Sequence, residues 1–338
     1  NQVSHRLEHS ICISLVHEAL QSAKAQGIDT TLLLQRANIA VELLALPQAR
    51  VAIANYAQLW IAIADAMNDE FFGLDRRALK RGSFQLLTKW LIHCKTIQHA
   101  IEETLQFFNV CFEDLYGELR LVQNSAQIVI VDQHQRQSMF IYACYWMLIH
   151  SLLCWLSGQR IVLNWMSVQS CMPLAHADYQ TRFCCDIRYE SAENILSLSL
   201  DYLSLPIKQD AHSRDQFLQA TPANLLVRFT NPAALSQQIR KKFLHTAPQY
   251  WLEFRALAHA LHMSEATLQR RLRAEGISYQ QLKNEIRCER AILLLKQPNL
   301  SLQQISEQLN FHDPSAFYRA FKKWTGLKPS YYRSDKLK

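Results

Sequence analysis

The sequence is poor in glycine, with seven glycines in 338 residues. This scarcity leaves little material for a loop that wraps a phosphate group. The chain also lacks the G-x-G-x-x-G, G-x-x-x-x-G-K-[ST], H-E-x-x-H and G-x-S-x-G motifs. These motifs carry dinucleotide, nucleotide, zinc-protease and serine-hydrolase chemistry. We therefore expect a protein that is not an enzyme and that uses no cofactor.

Cysteine is present in an odd number, nine, and no two cysteines have the C-x-x-C spacing. Most of them stand among apolar residues, as Cys144 and Cys154 do, and no secretory signal opens the sequence. We expect reduced thiols in a cytoplasmic protein, with a redox-sensing role left open. Two His–Cys proximities, at 93–94 and 150–154, do not amount to a metal site, because no set of four ligands has a familiar spacing. No metal is expected.

Long apolar runs are absent except for one, residues 139–156. Eighteen residues is the lower limit for a membrane-spanning helix. His150 and Ser151 interrupt the run, and the patterns on both sides of it are those of one folded domain. A helix that is apolar all round is also typical of the centre of a large core. We predict the core helix and no membrane association.

Charge is distributed unevenly. Residues 236–338 carry 18 Lys+Arg against 8 Asp+Glu, a net of +10, whereas residues 1–235 carry 18 against 21, a net of −3. A basic end on a slightly acidic body is the charge pattern of a nucleic-acid binder with a separate regulatory part. The alternative, a solvated basic face, is weakened by the pattern that follows.

The basic end contains one pattern twice. Residues 257–276 and 305–326 each predict a helix–turn–helix unit, and the two agree in residue type at five aligned places: Leu261 with Leu309, Leu268 with Phe317, Arg270 with Arg319, Leu272 with Phe321 and Gly276 with Gly326. Ser264 and Asp313 are natural N-caps for the second helix of each unit. Between the units, residues 279–297 predict one helix of about 28 Å. This length is close to the roughly 34 Å of one DNA turn, so the helix would hold two reading helices over successive major grooves.

These residues resemble the AraC/XylS family of bacterial transcription regulators. The resemblance is dense in the Ser264 to Gly276 segment, in Ser301 to Ile305, and above all in the stretch from Phe317 to Gly326 followed by Pro329. It implies an all-α DNA-binding domain that acts as a homodimer on promoter DNA, usually as an activator working with RNA polymerase. The chain departs from the family at Ala266, where an aromatic residue is common. Any base read there should therefore differ.

The DNA-contacting residues are expected on the second helix of each unit. The residues expected to face bases are Ala266, Thr267, Gln269, Ser315 and Tyr318. Arg270 and Arg319 are expected to reach base edges or phosphates. Those expected to contact phosphate are Ser264, Arg273, Lys322 and Lys323. The resemblance implies equivalent places for Arg270 and Arg319 in two grooves. A structural alternative remains open, in which either arginine ties its own helix to the connecting helix at residues 279–297, here called the strut.

The first part of the chain predicts a mixed α+β domain. Helical spacing predicts a helix over residues 4–26, alternation predicts a hairpin around Asn124 and Ser125, and Ile195 to Leu203 predicts a final strand. This part resembles, more loosely, the ligand-binding domain of the branch that contains ornithine-utilisation regulators. That resemblance rests on residues 46–60, 81–84 and 203–207. We place an effector-binding domain at 1–210, a linker at 211–233 and the DNA-binding domain at 234–338.

Candidate effector residues are polar or aromatic side chains in the middle of the predicted sensor domain, where an apolar pocket would need a few polar groups: Arg81, Trp90, His93, Tyr142, Tyr145 and Trp146. Each also fits a plain role in the core or on the surface. The chain is thus expected to be a transcription regulator controlled by a small molecule of unknown identity. Two alternatives remain, a first domain that only mediates assembly or holds a partner protein, and a first domain with a catalytic activity of its own.

Overall fold

The computed structural model describes residues 10–123, 125–134, 138–184, 186–227, 235–244, 246–274, 277–295, 297, 299–325 and 328–332. They form two compact units, one extending to residue 227 and the other starting at residue 235. The first unit mixes helices with strands, and every regular element described in the second unit is a helix. The predicted α+β and all-α fold classes are therefore confirmed.

The helices of the first unit are α1 Ile13–Ala25, α2 Thr30–Arg36, α3 Ile53–Met67, α4 Ser83–Leu91, α5 Ile97–Cys111, α6 Met139–Ser157, α7 His176–Arg182, α8 Ala211–Gln219 and α9 Ala223–Leu226. The strands are β1 Ser10–Cys12, β2 Arg50–Ala52, β3 Leu115–Val122, β4 Ser125–Asp132, β5 Leu163–Ser167, β6 Ile187–Arg188 and β7 Asn194–Ser199. Strands β1 and β2 form a small antiparallel pair, and the others form a sheet of order β3-β4-β7-β5-β6. All neighbours in this sheet are antiparallel except β5 and β6.

Helix α6 is the centre of the first unit. It is the one helix in the described residues that is long and apolar enough to cross a membrane, and its apolar window is entirely buried within the protein. Helix α5 and the sheet enclose part of it, and Trp155 stacks on Phe217 of α8 with ring centroids 4.6 Å apart. Such burial is what a core helix requires, because an apolar surface on every side needs packing on every side.

Three element boundaries differ from the predictions. Residues 10–12, predicted as helix, form strand β1, and α1 begins at Ile13; residues 1–9 lie outside the described residues. Strand β1 pairs with β2, about forty residues away, and this long-range pairing leaves no local periodicity in the sequence. The predicted final strand ends at Ser199, whose hydroxyl caps a 3-10 turn, Leu200–Tyr202. The third difference lies in the second unit, where the connecting helix is shorter than the predicted residues 279–297.

The predicted hairpin is present, with β3 and β4 paired along eight residues each. Its turn residue Asn124 lies outside the described residues. Gly117 of β3 explains how the hairpin packs against α5 and α6. The Asn109 side chain bonds both the N–H and the C=O of Gly117, at 2.7 and 2.9 Å. A methyl group at this position would overlap Tyr145 Oη and come within 2.7 Å of Leu105 Cδ2. Only glycine therefore allows the hairpin to lie this close to α5 and α6.

A buried arginine joins α7 to the end of the first unit. Arg182 donates to the Leu225 carbonyl of α9 at 2.8 Å and to Ser151 Oγ of α6 at 2.8 Å, and it lies 3.1 Å from His150 Nδ1. Burial, aided by the Arg182 charge, lowers the pKa of His150 to about 3. His150 is therefore neutral at ordinary pH and can accept from the guanidinium. These contacts attach the residues that precede the second unit to the core helix.

The helices of the second unit are α10 Leu235–Leu244, α11 Phe254–Ala260, α12 Glu265–Ala274, α13 Tyr279–Leu295, α14 Leu302–Gln308 and α15 Pro314–Thr325. They surround two separate apolar clusters. Helix α13 contributes to both, through Leu282 and Ile286 in the first cluster and through Ala291 and Leu295 in the second. It ends at Leu295 and not at residue 297, so its 17 residues span about 26 Å instead of the predicted 28 Å.

Candidate nucleic-acid interface and effector site

The two helix–turn–helix units share one turn geometry. His262 and Asn310 both adopt the left-handed conformation, with φ of 54° and 59°. In each unit the next residue closes the turn with the same bond, Met263 N–H to the Ala258 carbonyl and Phe311 N–H to the Ser306 carbonyl, both at 2.9 Å. The repeat read from the sequence is thus a repeat of structure.

The second helix of each unit is capped as the sequence predicts. Ser264 Oγ accepts from the Thr267 N–H at 3.1 Å, and Asp313 Oδ1 accepts from the Ala316 N–H at 2.7 Å. Pro314 occupies the first position of α15, where an N–H would have no partner within the helix. Each cap fixes the residue at which its helix starts.

The inward and outward faces of α12 and α15 correspond. Leu268 and Leu272 of α12, like Phe317 and Phe321 of α15, are almost fully buried. Of the eleven predicted contact residues, Thr267 and Tyr318 are half-buried, and nine are exposed: Ser264, Ala266, Gln269, Arg270, Arg273, Ser315, Arg319, Lys322 and Lys323. Among the described residues, the three arginines and two lysines of this set make no ion pair or hydrogen bond. Their charges are therefore available to an anionic partner.

Nothing in the described part of the chain ties Arg270 or Arg319 to the strut α13, so no contact supports the structural alternative raised above. Two exposed cations of the first helix–turn–helix are absent from the predicted set. Arg271 lies 3.7 Å from Met263 Sδ, and Arg255 is 4.0 Å from Glu265 Oε1. The run of arginines at 270, 271 and 273 is the signal that could have suggested Arg271. The aligned glycines Gly276 and Gly326 lie outside the described residues.

The six predicted effector residues fall into two groups. Arg81, Trp90 and His93 are exposed at the surface around α4, and Arg81 pairs with Asp65 at 2.9 Å and with Glu70 at 3.5 Å. Tyr142, Tyr145 and Trp146 are fully buried on α6. The six side chains therefore do not line one common pocket in the described part of the chain.

The buried group differs internally in hydrogen bonding. Tyr142 donates to Asp132 Oδ2 at 2.9 Å. Tyr145 Oη and Trp146 Nε1, by contrast, are buried without a hydrogen-bond partner in the described part of the molecule. Burial raises the pKa of Tyr145 far above its usual range, so its hydroxyl keeps its proton and can donate. Tyr179 Oη of α7 is likewise buried without a described partner.

No group of three or more His, Cys, Asp or Glu side chains in the described ranges is placed to hold a metal ion. The eight cysteines described are free thiols, and Cys171 is the exposed one among them. Cys185 lies outside the described residues. Burial raises the pKa of Cys94 and Cys154 to about 11, so these two thiols are protonated and unreactive at neutral pH.

Comparison with known proteins gives similarity in both units. The family model for the N-terminal arabinose-binding domain of AraC transcription regulators matches residues 27–207. A model for a helix-turn-helix domain matches residues 257–335. The ornithine utilization regulator of Pseudomonas aeruginosa is 26% identical over 321 residues, which are 94% of each chain.

Solved structures with similarity include the transcriptional regulator CdpR of Pseudomonas aeruginosa, 21% identical over 75% of this chain and 82% of that one, with a TM-score of 0.31. The C-terminal domain of AraT, a response regulator from Geobacillus stearothermophilus, is 28% identical over 32% of this chain and 91% of that one, with a TM-score of 0.29. The arabinose-binding match alone covers more than half of the sequence. The chain therefore belongs to the AraC family of transcription regulators and is a DNA-binding protein, not an enzyme.

Proposed function

We propose that this regulator reads one promoter sequence with both helix–turn–helix units and that a small-molecule effector, bound in the first unit, controls the reading. It acts in the cytoplasm as a homodimer and as an activator that works with RNA polymerase. The observation that carries the proposal is the pair of capped, outward-facing cationic helices α12 and α15 on one strut. The span of that strut, about 26 Å, allows two helices to approach successive major grooves.

Arg270 and Arg319 are proposed to contact bases, because they occupy matched positions on the exposed faces of α12 and α15. A guanidinium can pair in two places with guanine O6 and N7. Gln269, Ala266, Thr267, Ser315 and Tyr318 extend the same faces. The remaining cations and Ser264 are proposed to contact phosphate, which adds affinity without sequence preference.

Arg270→Ala tests the base-contact proposal. It is expected to weaken binding to the specific site by about 1–3 kcal/mol, roughly 5- to 150-fold. The affinity for random duplex DNA should fall much less, because the variant loses only one positive charge near the phosphates. The measurement is a binding titration on a site selected from random duplexes, at two salt concentrations. Lys323→Ala is the matched control and should weaken both DNAs about equally. Equal losses for Arg270→Ala on both DNAs would assign it to the backbone.

The effector is proposed to bind beside α6, at Tyr145 and Trp146. Buried polar groups in proteins are nearly always hydrogen-bonded, and these two side chains leave an O–H and an N–H free for a ligand acceptor. The Arg182 contacts join α6, the helix that carries Tyr145 and Trp146, to α7 and α9 within the first unit. The relative named for ornithine utilization makes ornithine and other basic amino acids the first compounds to test.

A thermal-shift screen with a metabolite panel tests this proposal. A true effector raises the melting temperature of the full chain, because it binds only the folded state. Trp146→Phe, which removes the indole N–H, should abolish the rise. Tyr142→Phe is the control and should keep it, because the Tyr142 hydroxyl already has a protein partner. A panel with no stabilising compound would favour a first unit that only mediates assembly.

A further inference from the structure

Arg287 lies on α13 at the point where one apolar cluster ends and the other begins. Ile286, the residue before it, belongs to the first cluster, and Cys288, the residue after it, belongs to the second. The Arg287 guanidinium lies over two rings, 5.4 Å from the centroid of Trp251 and 5.8 Å from that of Phe311. One charged side chain therefore contacts an aromatic ring in each half of the DNA-binding domain.

Each of the two rings is fixed within its own half. Trp251 stacks on Phe243 at 4.9 Å, and its indole N–H donates to the Thr246 carbonyl at 2.9 Å. Phe311 packs against Phe317 and Trp324, at 5.7 and 5.8 Å. Phe311 is also the residue that closes the second helix–turn–helix turn. A displacement of either half would therefore carry its ring away from the guanidinium.

The contact suits arginine in particular. A guanidinium is flat and weakly hydrated, so it can lie over aromatic rings, whereas a lysine ammonium is compact and strongly hydrated. The Arg287 Nε is buried and has no hydrogen-bond partner among the described residues. Burial lowers the pKa of Arg287 from its usual value, and the nearby Glu253 carboxylate acts in the opposite direction. The Arg287 side chain thus packs on the faces of two aromatic rings, and it makes no ion pair with the described residues.

We propose that Arg287 is a positioning residue that fixes the angle between the two helix–turn–helix units and so sets the number of base pairs between the two DNA segments they read. The proposal rests on the proposed reading of one promoter by both units. Arg287 itself touches no DNA in this proposal. Its effect is to hold the second helix–turn–helix in register with the DNA once the first helix–turn–helix has bound, which is preorganisation.

The test compares three duplexes: the site selected by the wild-type chain, the same site with one base pair inserted between its two segments, and the site with one segment scrambled. One inserted base pair moves the segments by about 3.4 Å and roughly a tenth of a turn. The wild-type chain should lose about tenfold or more in affinity on insertion. Arg287→Met should bind the selected site about tenfold more weakly, lose less than about threefold on insertion, and bind the scrambled duplex like the wild type.

Arg290→Met is the matched control. Arg290 lies one turn further along α13 and contacts Trp251 at 5.9 Å and the carbonyls of Phe243 and Leu244, all in the first half. It should keep the full insertion penalty. If Arg287→Met keeps that penalty too, or loses affinity equally on all three duplexes, the positioning role is wrong. Arg287→Lys, which keeps the charge without the flat fork, replaces Met should the Met variant not fold, and it has the same expected pattern.

A second readout needs no DNA. Nitroxide amino acids at the exposed positions 266 and 315 report the distance between α12 and α15 by pulsed electron resonance. The distance distribution should be narrow in the wild-type chain and broad in Arg287→Met. Equal widths would overturn the proposal for Arg287. A wild-type chain that selects no two-segment site would instead contradict the proposed promoter reading and leave this measurement to decide on Arg287.

Discussion

Asp178→Ala is expected to lower the free energy of unfolding of the first unit by about 3–5 kcal/mol. Asp178 of α7 accepts from Arg50 Nη2 at 2.6 Å, from Arg50 Nη1 at 3.2 Å and from the Cys12 N–H at 3.2 Å. The two side chains are only 7% and 10% exposed. Removing the carboxylate leaves a buried guanidinium whose two other hydrogen-bond acceptors among the described residues are the hydroxyl and the carbonyl of Ser10. A buried charge without its counter-ion is among the most destabilising changes a single substitution can make.

The double variant Arg50→Met/Asp178→Leu is the control, because apolar residues of similar size remove the charge together with its partner. It should recover most of the lost stability. Urea titrations followed by hydrogen exchange in β1, β2 and α7 measure both variants in the full chain. If the double variant were as unstable as Asp178→Ala, packing would explain the loss and the ion pair would not.

This ion pair illustrates what the sequence does not reveal. Arg50 and Asp178 are 128 positions apart, and neither stands in a recognisable motif. Strands β1 and β2 have three residues each, which is too short for an alternating pattern to show. The pair becomes visible only when the fold brings α7 against β2. For the same reason, the helix predicted over residues 4–26 was wrong at residues 10–12.

Local signals, by contrast, were sufficient for the DNA-binding unit. Helices α12 and α15 each follow a polar cap residue and bury apolar residues at a spacing of four, and the pattern occurs twice. Ser264, Asp313 and Ser301 all cap the helices predicted from them. The outward positions of Arg270 and Arg319 follow from the buried positions of Leu268 and Phe317, because one helix face determines the other.

For the six candidate effector residues, the sequence revealed burial only in part, and their role in binding an effector stays a prediction. The apolar run that became α6 shows that Tyr142, Tyr145 and Trp146 are in the core, but a helix that is apolar all round has no periodicity to show which side chain meets which partner. The distinction between Tyr142, bonded to Asp132, and Tyr145, without a described partner, depends on the position of β4. Arg81, Trp90 and His93 were chosen by chemistry alone, and chemistry does not separate a surface from a pocket.

The two apolar clusters of the second unit lead to a further expectation. Phe317→Ala should lower the stability of the second helix–turn–helix by about 3–5 kcal/mol. Phe317 is fully buried between Phe311 and Phe321, with ring centroids 5.7 and 5.6 Å away. An alanine there leaves a cavity, because the residues packed around the ring can relax only partially into the vacated space.

The loss should stay in one half, because the clusters share α13 but no buried side chain. Hydrogen exchange should therefore speed up in α14 and α15 and stay slow in α11 and α12. Affinity for a two-segment site should fall to that for the duplex with one segment scrambled. Leu268→Ala, the equivalent change in the first helix–turn–helix, should produce the reverse pattern of exchange. If either substitution accelerated exchange equally in both halves, the two units would be one cooperative structure, and the strut would transmit unfolding as well as position.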